Sequence, residues 1–408
     1  MAASSARPSY AAVLRMPYAK RTFTAAVVGR LSYGMVSLAV MLAVSRATGS
    51  YAVAGTVMAL FGAASVVLTP LRAALIDRHG PRRALPPMAG LYAGMLGVLA
   101  AVSWRPGAPP VLLGVVAVAA GSCTPPLGAA MRAVWGELIA DRRLLQRAYS
   151  LDGVAEELTF VTGPLLVGLV VGFAPPAAGV AVSAVLVGVG TLGFAMSPAV
   201  RGVTVRASRV RLRMRGWRGL LQPVVVAGGV GLALGAVELL VLAFAEQRHH
   251  GDDAIAWVLA ALSAGSAVGG LLNGAVNWRV SARVRLPLLA VGLALALGAA
   301  GWAPGLLTLS AAMAVAGLFV APALTTSYLL ADEAAPPGFR TQAGAWVNTA
   351  VNAGSSAGAA AVGLLVGQLP LALCFAASGG AALVAALASW RGKASPAVHT
   401  GEAVEVSR

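Results

Sequence analysis

The stretch Ala73-Ala74-Leu75-Ile76-Asp77-Arg78-His79-Gly80-Pro81-Arg82-Arg83 is a knot of charge between two apolar runs. About twenty apolar residues from Tyr51 precede it, and another twenty or so follow it from Ala84 to Trp104. Each run is long enough to cross a hydrocarbon layer of ~30 Å at about 1.5 Å per helical residue. Charges this dense are costly in hydrocarbon, so the knot reads as a short loop at a membrane face joining two spanning helices.

The composition extends that reading to the whole chain. Hydrophobic residues make up 58% of it, charged residues 11%, and the mean hydropathy is +0.81. Soluble domains carry about a quarter charged residues, so this is a polytopic membrane protein. The net charge of +16 is then explained by basic loops on one side of a membrane, and no nucleic-acid partner is expected. Cys123 and Cys374 both lie inside apolar runs, which gives no basis for a disulfide framework or a metal cluster. The near-exclusive use of Arg over Lys suggests a GC-rich bacterial genome. Arg7, Arg15, Lys20 and Arg21 precede an apolar run without a clear cleavage site, so a retained first span is expected rather than a removed signal peptide.

Charges, Pro and Gly divide the apolar sequence into about twelve spans: 23–45, 51–72, 84–104, 109–131, 150–172, 175–197, 220–245, 253–276, 285–303, 305–330, 341–366 and 369–390. If the N-terminus is cytoplasmic, the outer loops hold only Arg46, Arg105 and Arg248, whereas 26 of the 30 Lys and Arg fall in inner loops and tails. That asymmetry predicts both termini inside a cell membrane. A tail over 1–22, a bundle over 23–197, a basic linker over 198–219, a second bundle over 220–390 and a tail over 391–408 follow. The seven arginines between Ser197 and Leu220 read as a solvated or lipid-facing retention signal. The two halves are copies: a shift of 196 places Pro126 on Pro322, Glu137 on Glu333 and Gln146 on Gln342. The same shift faces Asp77 with Asn273, Asp152 with Asn348 and Glu156 with Asn352.

The knot resembles the loop between helices 2 and 3 of the major facilitator superfamily, whose pattern is Gly-x-x-x-Asp-Arg-x-Gly-Arg-Arg. Asp77, Arg78, Gly80, Arg82 and Arg83 fit it, and Ala73 stands in the Gly position. The resemblance implies an all-α integral membrane fold of twelve helices in two pseudo-symmetric six-helix bundles. Parallel repeats about an axis along the membrane normal relate the halves of such transporters. It also implies an inter-bundle latch, with Asp77 near the N-terminus of span 11 and Arg78, Arg82 and Arg83 bound to inner-face carboxylates or lipid phosphates. With Asn273 in place of the acid, the second half is expected to have lost most of that latch.

Intramembrane polar groups need a partner, water or a function. Arg30 shares a face of span 1 with Tyr33, Gly34 and Ser37, and is expected either in an ion pair or cavity or snorkelling to the interface. In span 5, Asp152 is expected to cap the helix or balance Arg147. The adjacent carboxylates Glu156 and Glu157 should repel, so that one carries a proton or binds substrate, or else they pair with Arg30 or make a helix-packing hydrogen bond. Glu238 in span 7 has no basic residue on its own helix within two turns, so it is expected to be protonated or to face a watery cavity on a proton or substrate path. Asn348 and Asn352 in span 11 suit hydrogen bonds to a ligand or a neighbouring helix. Ser263, Ser266, Asn273 and Asn277 in span 8 read as helix-packing groups. Spans 3, 6, 9 and 12 carry no ionisable residue in their apolar cores, as the resemblance implies for outer helices around a central cavity.

Gly163-Pro164 with Gly168 and Gly172 partly resembles the helix-5 motif of drug–proton antiporters, although the closely paired glycines and the usual helix-4 Arg are missing. His249 and His250 beside Asp252 and Asp253 read as an exposed turn, not a metal site. No Walker motif or catalytic triad emerges, so neither an enzyme nor a cofactor is expected, and uphill transport would draw on an ion gradient. The expected function is a monomeric, proton-coupled exporter of a small organic molecule by alternating access, with lipids as its surroundings. Import, or a transport-inactive sensor or scaffold, is the alternative.

Overall fold

The computed structural model describes residues 9–201, 214–249, 252–336 and 338–391. Most of the linker and both tail ends lie outside them, as does His250. The described residues form a helical bundle: α1 (Tyr10–Arg15), α2 (Ala19–Thr48), α3 (Tyr51–His79), α4 (Pro81–Val102), α5 (Pro110–Cys123), α6 (Leu127–Leu138), α7 (Arg142–Val171), α8 (Pro176–Ala195), α9 (Pro198–Arg201), α10 (Met214–Gln247), α11 (Asp252–Ala275), α12 (Ala282–Ala300), α13 (Leu306–Ala334), α14 (Arg340–Leu365) and α15 (Leu371–Arg391). Among them, eleven helical segments are long and apolar enough to cross a membrane, α5 and α6 together forming one. The expected eleventh span is α14, whose Asn348, Thr349, Asn352, Ser355 and Ser356 keep it below that level of hydropathy.

Five packing pairs in the first half recur in the second. The contacts α2 with α7, α2 with α8, α3 with α5, α4 with α8 and α4 with α5 are repeated by α10 with α14, α10 with α15, α11 with α13, α12 with α15 and α12 with α13. Small residues permit the closest of these approaches. Gly121 and Gly317, related by the 196-residue shift, sit against the carbonyls of Phe61 and Leu262, where any Cβ would collide with backbone. In a membrane, where lipid tails are as apolar as Leu, such close backbone packing drives helix association.

Several spans start or stop away from their expected positions. The charged knot is not a loop: α3 continues through Asp77 to His79, Gly80 turns the chain at φ 81°, and Pro81 opens α4. A positive φ favours Gly, and Pro at the first helical position forfeits only an N–H that has no partner there. Helix α7 begins at Arg142, with Asp141 as its N-cap accepting from the amides of Arg143 and Leu144 at 2.7 and 2.9 Å. Asp152 is therefore far inside the helix and caps nothing. The fourth span is broken at Thr124-Pro125-Pro126 and continues as α6 to Leu138, which draws Arg132 into the bundle. Pro322, the repeat partner of Pro126, leaves α13 unbroken.

The helices begin and end alternately at an Arg-rich end, called here the basic end, and at a far end. At the basic end one core joins both halves, including Trp135 and Tyr149 from the first and Tyr328 and Val347 from the second. Deeper cores lie within single halves, one around Met35, Tyr92 and Val180 and another around Val237, Leu293 and Phe375. The molecule is thus closed at the basic end, with separate cores beyond it.

Candidate functional site

An alternating chain of charge crosses the interior of the first bundle. Arg30 on α2 donates from Nη2 to Asp152 Oδ1 on α7 at 2.7 Å. The other oxygen of Asp152 lies 3.0 Å from Arg132 Nε on α6, and Arg132 Nη2 reaches Glu156, one turn along α7. Arg30, Asp152 and Arg132 are buried, while 31% of the Glu156 side chain is exposed. Two cations and two anions balance, which lets all four enter a region where an unpaired charge would be very costly. Tyr149 holds the Arg132 carbonyl at 3.1 Å, and the Arg132 guanidinium lies over the ring of Tyr328 on α13, 3.7 Å from its centroid. The chain of charge therefore ends against the second bundle.

Of the two readings for Arg30, the buried ion pair holds and snorkelling does not, while the expectations for Asp152 and for the two glutamates change. Asp152 balances Arg30 and Arg132 rather than Arg147, whose guanidinium donates to the carbonyls of Arg143 and Ala275, both at 3.3 Å. Glu156 and Glu157 are not an isolated repelling pair and neither joins Arg30: Glu156 has Arg132, and Glu157 makes the helix-packing hydrogen bond, accepting from Ser266 on α11 at 2.8 Å. Arg132 itself escaped the sequence reading because it sits at the edge of an apolar run that the double proline extends inward.

Tyr33 is explained by the same break. Pro125 has no N–H to offer the Gly121 carbonyl, and Arg72 donates to that carbonyl from Nη1 at 2.7 Å. The Pro125 carbonyl takes the Tyr33 hydroxyl. Broken backbone at membrane depth needs such donors. Glu238 is exposed, with no ion-pair or hydrogen-bond partner among the described residues. Asn352 is exposed and donates to the Asn348 carbonyl at 2.8 Å on its own helix, so neither amide bonds a neighbouring helix. Gly163 packs on Gly34 and α7 runs on through Pro164, so that glycine has a packing reason.

At the basic end, Asp77 accepts the Thr341 and Gln342 amides at 3.1 and 2.8 Å, capping the first turn of α14 with a carboxylate. Gly80 makes the turn after it. Arg78, Arg82 and Arg83 are exposed and pair with no carboxylate among the described residues. The carboxylates they were expected to hold are taken elsewhere: Glu137 and Asp332 lie 3.5 Å from Arg340, and Glu333 meets Arg142. Under the repeat shift, Glu137 with Arg340 mirrors Glu333 with Arg142 to within two residues. The second half has not lost its inter-bundle contact but reversed it. Here α7 supplies side chains, Gln146 to the Asn273 carbonyl and Arg147 to that of Ala275, and the α11 end supplies backbone. Tyr10 on α1 adds a bond to the Leu271 carbonyl at 2.5 Å; burial raises its hydroxyl above the usual tyrosine range, against the pull of Arg147.

No group of His, Cys, Asp and Glu suited to a metal ion occurs among the described residues. The Major Facilitator Superfamily model matches residues 22–250 and 224–406. No curated protein sequence matches the chain. Similar solved structures include a bacterial homologue of the iron transporter ferroportin in an outward-facing state, at TM-score 0.75 and 13% identity, covering 92% of this chain and 99% of that one. The human organic anion transporter MFSD10 (TETRAN) gives TM-score 0.72 at 13% identity, covering 94% and 100%. At such identity these likenesses establish the fold, and the family match over nearly the whole length establishes membership. With eleven apolar membrane-length segments and α14 forming two repeated bundles among the described residues, and a carboxylate bridging them at Asp77, the chain belongs to the Major Facilitator Superfamily of membrane transporters.

Proposed function

We propose that the chain exports a small organic molecule from the cytoplasm in exchange for protons, by rocking of the bundles 23–197 and 220–390 about a site between them. The observation that supports this most is the position of Arg132. It holds Asp152 and the partly exposed Glu156 on one side and stacks on Tyr328 of the opposite bundle on the other. Protonating Glu156 removes one of the two anions that balance Arg132 and shifts the guanidinium's interactions toward Asp152 and the Tyr328 ring. A proton would then alter the contact between bundles, which is what coupling requires. Glu238, exposed and without a fixed partner, is a second proton or substrate group. Asn348 and Asn352 offer amides to substrate on the α14 side. Glu157 bridges to Ser266 across the bundles and opens with them. In this reading Asp77, with Gly80 shaping the turn, latches the bundles at the basic end, which faces the cytoplasm under the positive-inside rule. Arg78, Arg82 and Arg83 face lipid phosphates.

The test is accumulation of a chemically broad compound panel in cells expressing wild type, Glu156→Gln or Glu238→Gln, with and without an uncoupler. Lower accumulation of a compound with wild type, abolished by the uncoupler and by Glu156→Gln, is expected. Raised accumulation, or export that ignores both the uncoupler and Glu156→Gln, overturns the reading.

A further inference from the structure

A second charged site lies apart from the central chain, at the basic end between α7, α13 and the 276–281 segment leading into α12. There a cavity of about 480 Å³ is lined by Arg142, Arg143, Arg279, Arg283 and Arg285, with Glu333 as its single carboxylate. Glu333 is already engaged by Arg142. The floor of the cavity is Arg285, only 4% exposed and held in place from several sides. Its guanidinium lies 4.9 Å from the Trp278 ring centroid, and its terminal nitrogens donate to Gln146 Oε1 at 3.3 Å and Thr326 Oγ1 at 3.4 Å. Those acceptors are neutral and distant, and the buried Nε has no acceptor. A buried guanidinium hydrogen-bonded only to neutral groups is costly, because water has been removed and the one nearby carboxylate, Glu333, is paired with Arg142.

We propose that this cavity binds a phosphate group. Arginine forks match phosphate oxygens two at a time, and the lining offers one buried, immobilised fork surrounded by four more accessible arginines. The volume accommodates a phosphorylated headgroup or a small soluble phosphate. Arg142 and Arg143 come from the first bundle, and Arg279, Arg283 and Arg285 from the second, so a bound phosphate ties the bundles together at the end where they already close. It occupies, by the repeat shift, the side of the molecule opposite the Asp77 contact.

The test uses the purified full-length protein in detergent, titrated with phosphatidylglycerol, inorganic phosphate or phosphatidylcholine, with the melting temperature as readout. For wild type, phosphatidylglycerol or inorganic phosphate raises the melting temperature and phosphatidylcholine does so much less. Stabilisation by phosphatidylglycerol alone identifies a lipid headgroup; stabilisation by inorganic phosphate as well identifies the phosphate group itself. Arg279→Gln with Arg283→Gln, both exposed in the free cavity, raises the half-saturating concentration by about tenfold, the loss of roughly 1.4 kcal/mol of charge-assisted hydrogen bonding. Arg143→Gln, on the opposite bundle, raises it in the same direction and serves if the double variant fails to fold. No rise with either anionic probe, or half-saturation unchanged in both variants, overturns the proposal.

Discussion

Arg132 and Tyr328 lie on opposite bundles, and the guanidinium of the first rests 3.7 Å from the ring centroid of the second. Since Arg132 also holds Asp152 and Glu156, the pair joins the buried charges of one repeat to the apolar surface of the other.

The guanidinium lies over the ring face, which Phe retains and Leu does not. Tyr328→Phe is expected to leave the balance between bundle arrangements near that of wild type, whereas Tyr328→Leu loses about 2 kcal/mol, the scale of a desolvated cation–π contact. That corresponds to a shift of about thirtyfold toward separation at the basic end. Spin labels on Arg83→Cys and Val284→Cys, with Cys123 and Cys374 replaced by Ser, report it as a longer distance. Equal distances in the Leu and Phe variants would show that the stacking does not hold the bundles.

Asp152 is fully buried between two arginines, so removing its charge strands Arg30 and leaves Arg132 with Glu156 alone. Asp152→Asn is expected to destabilise the protein by about 3–5 kcal/mol. Arg30→Gln on top of it leaves Arg132 paired with Glu156 and restores neutrality, so the double variant is less damaged than the sum of the singles. Thermal unfolding in detergent of the three variants decides this. Strict additivity would mean that Arg30 and Asp152 do not act as a pair.

These two predictions rest on residues that were unequally legible in the sequence. The spans, the repeat and the Asp77 motif could be read because hydropathy and a 196-residue register are properties of the chain itself. Arg30 and Asp152 were visible as isolated polar residues, but their pairing was not, since it depends on α7 beginning at Arg142 and placing Asp152 well inside the bundle. Arg132 stayed hidden because the break at Pro125-Pro126 decides how deep α6 runs. The reversed contact of Gln146 and Arg147 with the α11 end was hidden for another reason. It uses backbone carbonyls as acceptors, and carbonyls leave no mark in a sequence.

Asp77 binds two amides of α14 as a cap, a role worth about 0.5–2 kcal/mol. Asp77→Ala is expected to open the basic end more often, raising maleimide labelling of a cysteine at the interface position Ala129 by several-fold. Asp77→Asn retains an acceptor that suits a helix N-cap and loses only the charge, so its labelling falls between wild type and Ala. Labelling that is equal for Ala and wild type would remove the latch role.

Gly163 and Gly168 separate packing from motif. A methyl on Gly163 collides with the backbone of Gly34, whereas one on Gly168 meets nothing within 4 Å. Neither Gly34 nor Gly163 can yield by turning a side chain, so α2 and α7 must move apart, and Gly163→Ala is expected to cost about 1–3 kcal/mol. Gly168→Ala, on an uncrowded part of the same helix, should match or slightly exceed wild-type stability, because Ala favours the helix by up to about 1 kcal/mol. Melting temperatures in detergent, with export of a responding compound as the second readout, distinguish the two origins. If both glycines serve to keep α7 flexible, both substitutions reduce export, including the one that leaves stability intact. If packing alone accounts for them, export falls only in Gly163→Ala and in step with its stability.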